Sequence, residues 1–221
     1  MVIFVNKPFF CVFEGIDGVG KGTQLFLLEQ YLKSKNLSVI TTKEPTQTLT
    51  GYFLKIVLKM GNINPLTDAF LFAADRSEHV EKLILPALQK NNIILCERYL
   101  YSSIAYQATC ESIDESFIKR INSFAIKPDL VILLDADPEI TIKRKKNVLH
   151  YQGEKFENIE FLKTVRDKYH TLAKEHNFRI IDANRTIEDI HKEIVKVFNF
   201  YYKRKEFQLK INRFIEYEPN K

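Results

Sequence analysis

The fold is decided by residues 9–24, which read Phe9-Phe10-Cys11-Val12-Phe13-Glu14-Gly15-Ile16-Asp17-Gly18-Val19-Gly20-Lys21-Gly22-Thr23-Gln24. An apolar run leads into a glycine-rich turn, and the turn leads into Gln24–Leu32, whose apolar residues have helical spacing. A buried strand, a glycine-rich turn with a lysine and an amphipathic helix, in this order, predict a loop that binds phosphate groups.

The residue types of this loop suit phosphate chemistry. Glycines allow successive backbone N–H groups to converge on phosphate oxygens, and the start of the helix adds the positive end of its dipole. Lys21 can reach β and γ oxygens, so we expect a triphosphate ligand. The strict signature has Ser or Thr directly after the lysine, whereas here Gly22 holds that position and Thr23 follows. The alternative, an ordinary tight turn, is disfavoured by the complete order of elements.

The bulk composition favours a small anionic ligand. The 221 residues can bury one sizeable core, so a single domain is expected. The 33 basic and 28 acidic residues are spread along the chain and give a net charge of +5. This mild, mixed charge fits a nucleotide better than a nucleic acid.

The cysteines and apolar runs bear on localisation. Cys11, Cys96 and Cys110 are odd in number and lack metal-ligand spacing, and the first two lie in predicted strands. No signal peptide is evident, and runs such as Leu130–Leu134 are too short to cross a bilayer. We therefore expect a soluble cytoplasmic protein with no membrane partner.

Short apolar runs alternate with longer helical patterns. After the first strand, we predict strands over 38–42, 93–96, 130–134 and 178–181. Five buried strands separated by helices imply a parallel sheet with helices on both faces, and ligands bind such sheets beyond the carboxyl ends of the strands. Residues 66–89 read as one long helix, and Pro138 opens another through Arg144. Residues 203–221 lie past the last predicted helix, as a strand, an interface arm or a solvated tail.

Glu97 and Arg98 directly follow the strand that ends at Cys96. A carboxylate here can hold Mg²⁺ beside the phosphates, and the neighbouring guanidinium can clamp a second phosphate. The alternative is a surface ion pair at a strand end. Asp135, which follows another strand, is a rival for the metal carboxylate, and we prefer Glu97.

A nucleobase pocket is suggested by Phe72 and Arg76, which are four residues apart and share a helical face. From spacing alone, a core Phe72 and a solvated Arg76 are the favoured alternative. His79 is expected to be structural. The basic run Lys143-Arg144-Lys145-Lys146 is either a solvated face or part of a cationic lid over the transferring group.

Together, these motifs resemble the thymidylate kinase family, which are nucleoside monophosphate kinases of the P-loop class. The resemblance extends to about residue 195. It rests on Phe13–Gln24, Lys43-Glu44-Pro45, Leu71–Arg76, Glu97-Arg98-Tyr99 and Ala105-Tyr106-Gln107. It implies a P-loop NTPase-like three-layer α/β/α fold, with 1–202 as one domain and 203–221 as an extension of unknown role.

The resemblance also implies the reaction, which is phosphorylation of dTMP to dTDP by ATP with Mg²⁺, in dTTP biosynthesis, by a homodimer. The implied ATP site combines the phosphate loop with two later residues: Gly15, Ile16, Asp17, Gly18, Val19, Gly20, Lys21, Gly22, Thr23, Arg144 and Ala183. The implied dTMP site comprises Asp17, Lys43, Glu44, Phe72, Arg76, Arg98, Tyr106 and Gln107. Tyr106 would crowd a ribose 2′-hydroxyl and so favour deoxyribose.

The implied metal residues are Glu97 and Thr23, acting directly or through water, and the implied catalytic residues are Lys21, Glu97, Arg98 and Arg144. The lid spans about 143–157, and Arg144 is its best catalytic candidate, with Lys145 and Lys146 as alternatives. The sequence departs from the family pattern where Lys43 replaces arginine, Glu97 replaces aspartate, and Glu154-Lys155 replaces an Asp-Arg pair.

Three rival functions remain at this point. One is another nucleoside monophosphate or deoxynucleoside kinase of the same architecture, and another is a nucleotide-binding module without catalysis. The third is a GTP-dependent switch, which would need a guanine-reading Asn-Lys-x-Asp segment that the sequence lacks.

Overall fold

Strand β1 (Phe9–Glu14) is buried along its whole length because it is the central strand of the sheet. The computed structural model describes residues 6–61, 63–109, 113–146 and 158–216, with only the backbone at 206 and 208–216. Within these residues five parallel strands form one sheet in the order β2-β3-β1-β4-β5. The other four strands are β2 (Val39–Lys43), β3 (Ile93–Glu97), β4 (Leu130–Asp135) and β5 (Arg179–Asp182).

The predicted fold class is confirmed, and each predicted strand lies within one residue of the observed one. In β1, Phe9 pairs with Ile93 of β3, and Cys11 pairs with Leu130 of β4. Because all strands are parallel, their carboxyl ends meet at one edge. The phosphate loop and the segments that follow β2, β3 and β4 therefore converge there.

Helices cover the sheet, and they are α1 (Lys21–Lys33), α2 (Leu49–Met60), α3 (Pro65–His79), α4 (Leu85–Gln89), α5 (Leu100–Tyr106), α6 (Glu115–Ile121), α7 (Pro138–Lys146), α8 (Ile159–His176) and α9 (Ile187–Glu216). The long helix predicted over 66–89 is present as α3 and α4, joined by a π-helical segment at Val80–Ile84. Pro86 follows that segment. Since proline has no N–H to donate, a local change of hydrogen-bond register is expected there.

Helix α9 corrects one prediction, because it continues through Glu216 instead of ending before residue 203. Phe198 and Tyr202 of this helix are buried, and both rings pack edge-to-face on Phe9. Lys205 donates a 2.6 Å hydrogen bond to Asp129. The alternating charged and apolar residues of this segment are thus part of a helix and not of an appended strand.

Two further features bear on earlier expectations. Cys11 and Cys96 are free thiols buried in β1 and β3, and burial raises the pKa of each well above its usual value. Cys110 lies outside the described residues. Among the helices that the structure describes, none combines the length and the apolar character needed to span a membrane.

Candidate functional site

The phosphate loop is shaped by glycines that approach other backbone closely. Gly15 has a φ of +136°, and a Cβ at this position would lie 2.4 Å from the Leu134 carbonyl oxygen at the end of β4. Gly18 has a φ of +78°, and its Cβ would lie 2.5 Å from the Thr141 carbonyl oxygen of α7. The loop is therefore held between β4 and α7, and any side chain larger than hydrogen would displace it.

Lys21 is the first residue of α1, and it is buried beneath the loop. Its Nζ donates hydrogen bonds of 3.0 Å to the Gly15 carbonyl and 2.9 Å to the Ile16 carbonyl. Burial, and next the nearby charge of Arg98, lower the pKa of Lys21 to about 8. Gly20 and Thr23 are exposed at the start of the helix, where amide groups are open to an anion.

Glu97, at the end of β3, faces Gly22. Its Oε2 lies 3.2 Å from the position that a Cβ of residue 22 would take. The carboxylate thus reaches the space that a Ser or Thr side chain would enter. Together with the exposed Thr23 hydroxyl it offers the oxygen ligands that Mg²⁺ prefers, beside donor phosphates that would supply others. These residues fit a magnesium ion.

Asp135, the rival carboxylate, is engaged elsewhere. It accepts two hydrogen bonds of 2.7 Å from Arg166 of α8, and His170 Nε2 lies 3.1 Å from its Oδ1. Although burial acts to raise the pKa of Asp135, these partners hold it below its usual value. A carboxylate tied by a bidentate arginine is poorly suited to a metal, which supports the preference for Glu97.

The Arg98 side chain extends from the end of β3 to the phosphate loop. Its backbone is left-handed, with a φ of +64°, and its N–H donates a 2.9 Å hydrogen bond to the Phe13 carbonyl. The guanidinium donates at 2.6 Å to Asp17, 3.0 Å to Ser102 and 3.2 Å to Tyr106. Burial acts to raise the pKa of Asp17, but the charges of Arg98 and Lys21 lower it strongly.

A buried carboxylate, Glu14, supports this arrangement from below. It accepts hydrogen bonds from the backbone N–H groups of Tyr99 at 3.1 Å and Ser102 at 3.2 Å, and from the Ser102 and Tyr169 hydroxyls at 2.6 and 2.9 Å. Burial raises the pKa of Glu14, although these hydrogen bonds and Arg98 oppose the rise. One side chain of β1 therefore fixes the start of α5 directly after Arg98.

Arg76 is buried, which rules out the solvated alternative. It donates 2.6 Å hydrogen bonds to Glu44 and Asn122 and a 3.0 Å hydrogen bond to Ser103. His79 also contacts Glu44, with 3.0 Å from its Nδ1 to Glu44 Oε1, and the structural role predicted for it fits this contact.

Two polar atoms of residues predicted to bind dTMP have no partner among the described residues. They are Nε of Arg76, a donor, and Oε1 of Gln107, an acceptor, and both are buried. Buried polar groups are usually paired, so unpaired groups of opposite type suit a ligand that carries both an acceptor and a donor. Phe72 is half-buried one turn before Arg76 and Lys43 is exposed at the end of β2, while the Tyr106 ring lies beneath the Arg98 guanidinium.

The lid residues divide between two places. Arg144 donates a 3.0 Å hydrogen bond to the carbonyl of Ala183, the residue after β5. The Lys145 side chain lies over the phosphate loop, with its Cγ 2.9 Å from where a Cβ of Gly18 would be. Residues 147–157, including Glu154 and Lys155, lie outside the described residues.

Sequence reasoning missed two residues that build the site. Asn122, which follows α6, accepts a hydrogen bond from Arg76 and belongs to no sequence motif, so no sequence signal could have found it. Glu14 ends an otherwise apolar strand, and a lone acidic residue there was a usable signal, because buried carboxylates require partners.

Comparison with known proteins agrees with this geometry. The family model described as thymidylate kinase matches residues 13–194. The chain is 46% identical over 188 residues to a probable thymidylate kinase of Methanocaldococcus jannaschii, across 84% of this chain and 93% of the relative. It is 40% identical over 196 residues to a thymidylate kinase of Fervidobacterium nodosum, across 87% and 99%. By its sequence, its sheet and its phosphate loop, this chain belongs to the thymidylate kinase family.

Proposed function

We propose that this protein transfers the γ-phosphoryl group of ATP to dTMP, which yields dTDP and ADP. The observation that carries the proposal is a single ion pair, Arg98 with Asp17, at 2.6 Å. It joins the phosphate loop to the segment after β3. This contact supports a donor loop and an acceptor pocket at one edge of the sheet.

On the donor side, Lys21 and the amides of the loop would hold the phosphates. Positive φ angles at Gly15, Gly18 and Gly20 shape the loop, and amides of such a loop would point toward the phosphates. Mg²⁺, held by Glu97 and Thr23 directly or through water, would neutralise charge on the donor phosphates. Arg144 and Ala183 would border the nucleoside.

On the acceptor side, Arg98 and Lys43 would hold the dTMP phosphate. Phe72 would lie against the base, while Arg76 Nε and Gln107 Oε1 would meet its acceptor and donor groups. Glu44 keeps Arg76 in place through the buried 2.6 Å ion pair. Tyr106 would restrict the sugar to deoxyribose.

The chemistry asked of these residues is mainly positioning and charge. Phosphoryl transfer is accelerated by holding the two phosphates in line and by placing cations around the oxygens that gain charge. Arg98 is ready for this task, because four hydroxyl and carboxylate partners fix its guanidinium before any ligand binds. Folding therefore orders this guanidinium in advance, so that ligand binding does not have to order it.

The test is a coupled assay of ADP release with dTMP, dUMP, UMP, CMP, AMP and GMP as acceptors. We expect dTMP to have the highest kcat/KM. A preference for a ribonucleotide or for an unphosphorylated deoxynucleoside would identify a different kinase of this fold. Tight ATP binding with no transfer to any acceptor would identify a silent nucleotide-binding module.

We also propose a homodimer that forms through an apolar face on α2 and α3, here called the α2–α3 face. Its members are exposed and mostly spaced three or four residues apart: Leu49, Tyr52, Phe53, Ile56, Met60, Leu66 and Phe70. Leu49 is 82% and Met60 is 75% exposed in the single chain. Large exposed apolar surfaces usually mark interfaces.

Sedimentation equilibrium tests the dimer. The wild type should sediment at twice the chain mass, and Phe53→Asp should shift it to the monomer. Phe200→Asp, an equally exposed aromatic on α9, is the control and should leave the dimer intact. A monomeric wild type at high concentration would contradict the proposal.

The buried free thiols fit a reducing compartment, and we propose the cytoplasm.

A further inference from the structure

We propose that Lys145, and not its neighbour Arg144, is the cation of helix α7 that acts on the transferring phosphoryl group. The inference rests on the proposed kinase function and assigns one role within it. It differs from the expectation drawn from the sequence, which favoured Arg144.

The first evidence is the contact between α7 and the phosphate loop. At Gly18, a Cβ would meet the Thr141 carbonyl oxygen at 2.5 Å and the Lys145 Cγ at 2.9 Å. Thr141 and Lys145 are one helical turn apart, so they share the face of α7 that lies on the loop. Only a glycine at position 18 permits Lys145 to pass this close.

The second evidence is the charge environment at that face. Burial acts to raise the pKa of Asp17, whereas the charges of Arg98, Lys21 and, more weakly, Lys145 lower it. Asp17 itself is bound to Arg98 at 2.6 Å. Lys145 is thus electrostatically linked to the junction between the donor loop and the acceptor arginine.

The third evidence is the direction of Arg144. Its Nη1 donates a 3.0 Å hydrogen bond to the Ala183 carbonyl, and Ala183 follows β5, the edge strand. The phosphate loop follows β1, two strands away. Adjacent residues of a helix point about 100° apart, so the two side chains serve different regions.

In the reaction, an acceptor phosphate oxygen forms a bond to the γ-phosphorus while the bond to the β,γ-bridging oxygen breaks. The electron pair of that bond leaves with ADP. Lys145 neither gives nor takes a proton, because its protonated amine only balances charge on the oxygens. Stabilisation that is specific to the transition state lowers kcat when it is removed, with little change in KM.

The experiment compares Lys145→Ala, Lys145→Arg and Arg144→Ala with the wild type, using the acceptor that the wild type prefers. We expect Lys145→Ala to lower kcat by about a hundredfold with KM for ATP within about threefold, and Lys145→Arg to recover most of kcat. Arg144→Ala should raise KM for ATP and keep kcat within about threefold. Lys174→Ala, an exposed lysine on α8, is the control and should match the wild type.

A binding measurement separates catalysis from structure. Calorimetry with ADP and dTMP, with and without aluminium fluoride, should show that Lys145→Ala loses the extra affinity conferred by the fluoride but keeps ADP affinity. The inference is overturned if Lys145→Ala has wild-type kcat, or if Arg144→Ala alone loses kcat. If the wild type prefers another acceptor, the proposed function fails while the ratio of the variants still decides the role of Lys145. A wild type without transfer activity overturns both.

Discussion

The guanidinium of Arg98 lies 2.6 Å from the carboxylate of Asp17, and this ion pair ties the phosphate loop to the segment after β3. Two parts of the chain that are 81 residues apart thus share one charged contact at the reactive edge of the sheet. The arginine has further hydroxyl partners on α5 and α8.

We predict that Arg98→Lys lowers kcat/KM for dTMP by about 10²–10³-fold, although the charge is kept. A lysine cannot bridge Asp17, Ser102 and Tyr106 at once, since it lacks the planar fork of donors. Steady-state kinetics with varied dTMP measures the effect. Arg120→Lys, on the surface of α6, is the matched control. Wild-type kinetics in Arg98→Lys would show that charge alone suffices.

A second prediction concerns pH. The free protein holds Lys21 with a pKa of about 8, and bound phosphates should raise that pKa again. The charged form is therefore lost as pH rises above about 8 in the free protein but retained in the complex. ATP affinity should fall by up to roughly tenfold per pH unit above this value.

Calorimetry in two buffers of different ionisation enthalpy tests the pH prediction. ATP binding at pH 9 should take up a proton from the buffer, whereas binding at pH 7 should not take one up at Lys21. A Lys21→Met variant should lose the uptake. An ATP affinity that stays constant from pH 7 to 9.5 would contradict the assignment.

A third prediction isolates the close approach of α7 to the loop. Gly18 and Gly61 share a φ of +78°, but among the described residues a Cβ at Gly61 meets nothing within 4 Å, while one at Gly18 meets the Thr141 carbonyl. Gly61→Ala should therefore lower the free energy of unfolding by only about 1 kcal/mol, because alanine disfavours a positive φ. Gly18→Ala should lower the free energy of unfolding, measured in urea, by more than Gly61→Ala does. Alternatively, it should displace α7 and lower kcat. Equal costs together with unchanged kcat would refute the contact.

The buried pair of Arg76 and Glu44 supports a fourth prediction. Arg76→Met should lower the free energy of unfolding by about 3–5 kcal/mol, because it leaves a buried carboxylate without its main partner. The double variant Arg76→Met with Glu44→Leu should recover part of that loss. Urea denaturation of the two single variants and the double variant measures the coupling. Additive effects would mean that the pair is not coupled.

A structural feature could be predicted where its sequence signal lies within a few consecutive residues. The strands and the phosphate loop were evident, since apolar runs and glycine spacing are written within a few consecutive residues. The burial of Arg76 was not evident from spacing, because its partners Glu44, Ser103 and Asn122 come from three other segments.

Helix α9 shows a different limit. Charged and apolar residues alternate after Lys203, and such a pattern fits a strand as readily as one face of a helix over a short stretch. The preceding turns of α9 decide between helix and strand. Phe198 and Tyr202 pack on Phe9, and the helix continues beyond them. The basic residues at 143–146 are visible in the sequence, but the different directions of the Arg144 and Lys145 side chains depend on the position of α7 relative to the loop.

The contact between Gly22 and Glu97 has an evolutionary consequence. The two departures from the usual pattern, a missing hydroxyl at 22 and an extra methylene at 97, fill one shared volume, since Glu97 Oε2 lies 3.2 Å from the empty Cβ position. A side chain at 22 would crowd Glu97 unless that carboxylate shifts by a few tenths of an ångström. Serine at 22 should be tolerated best with aspartate at 97, so a double-mutant cycle on kcat should be non-additive. We therefore expect residues 22 and 97 to be constrained together.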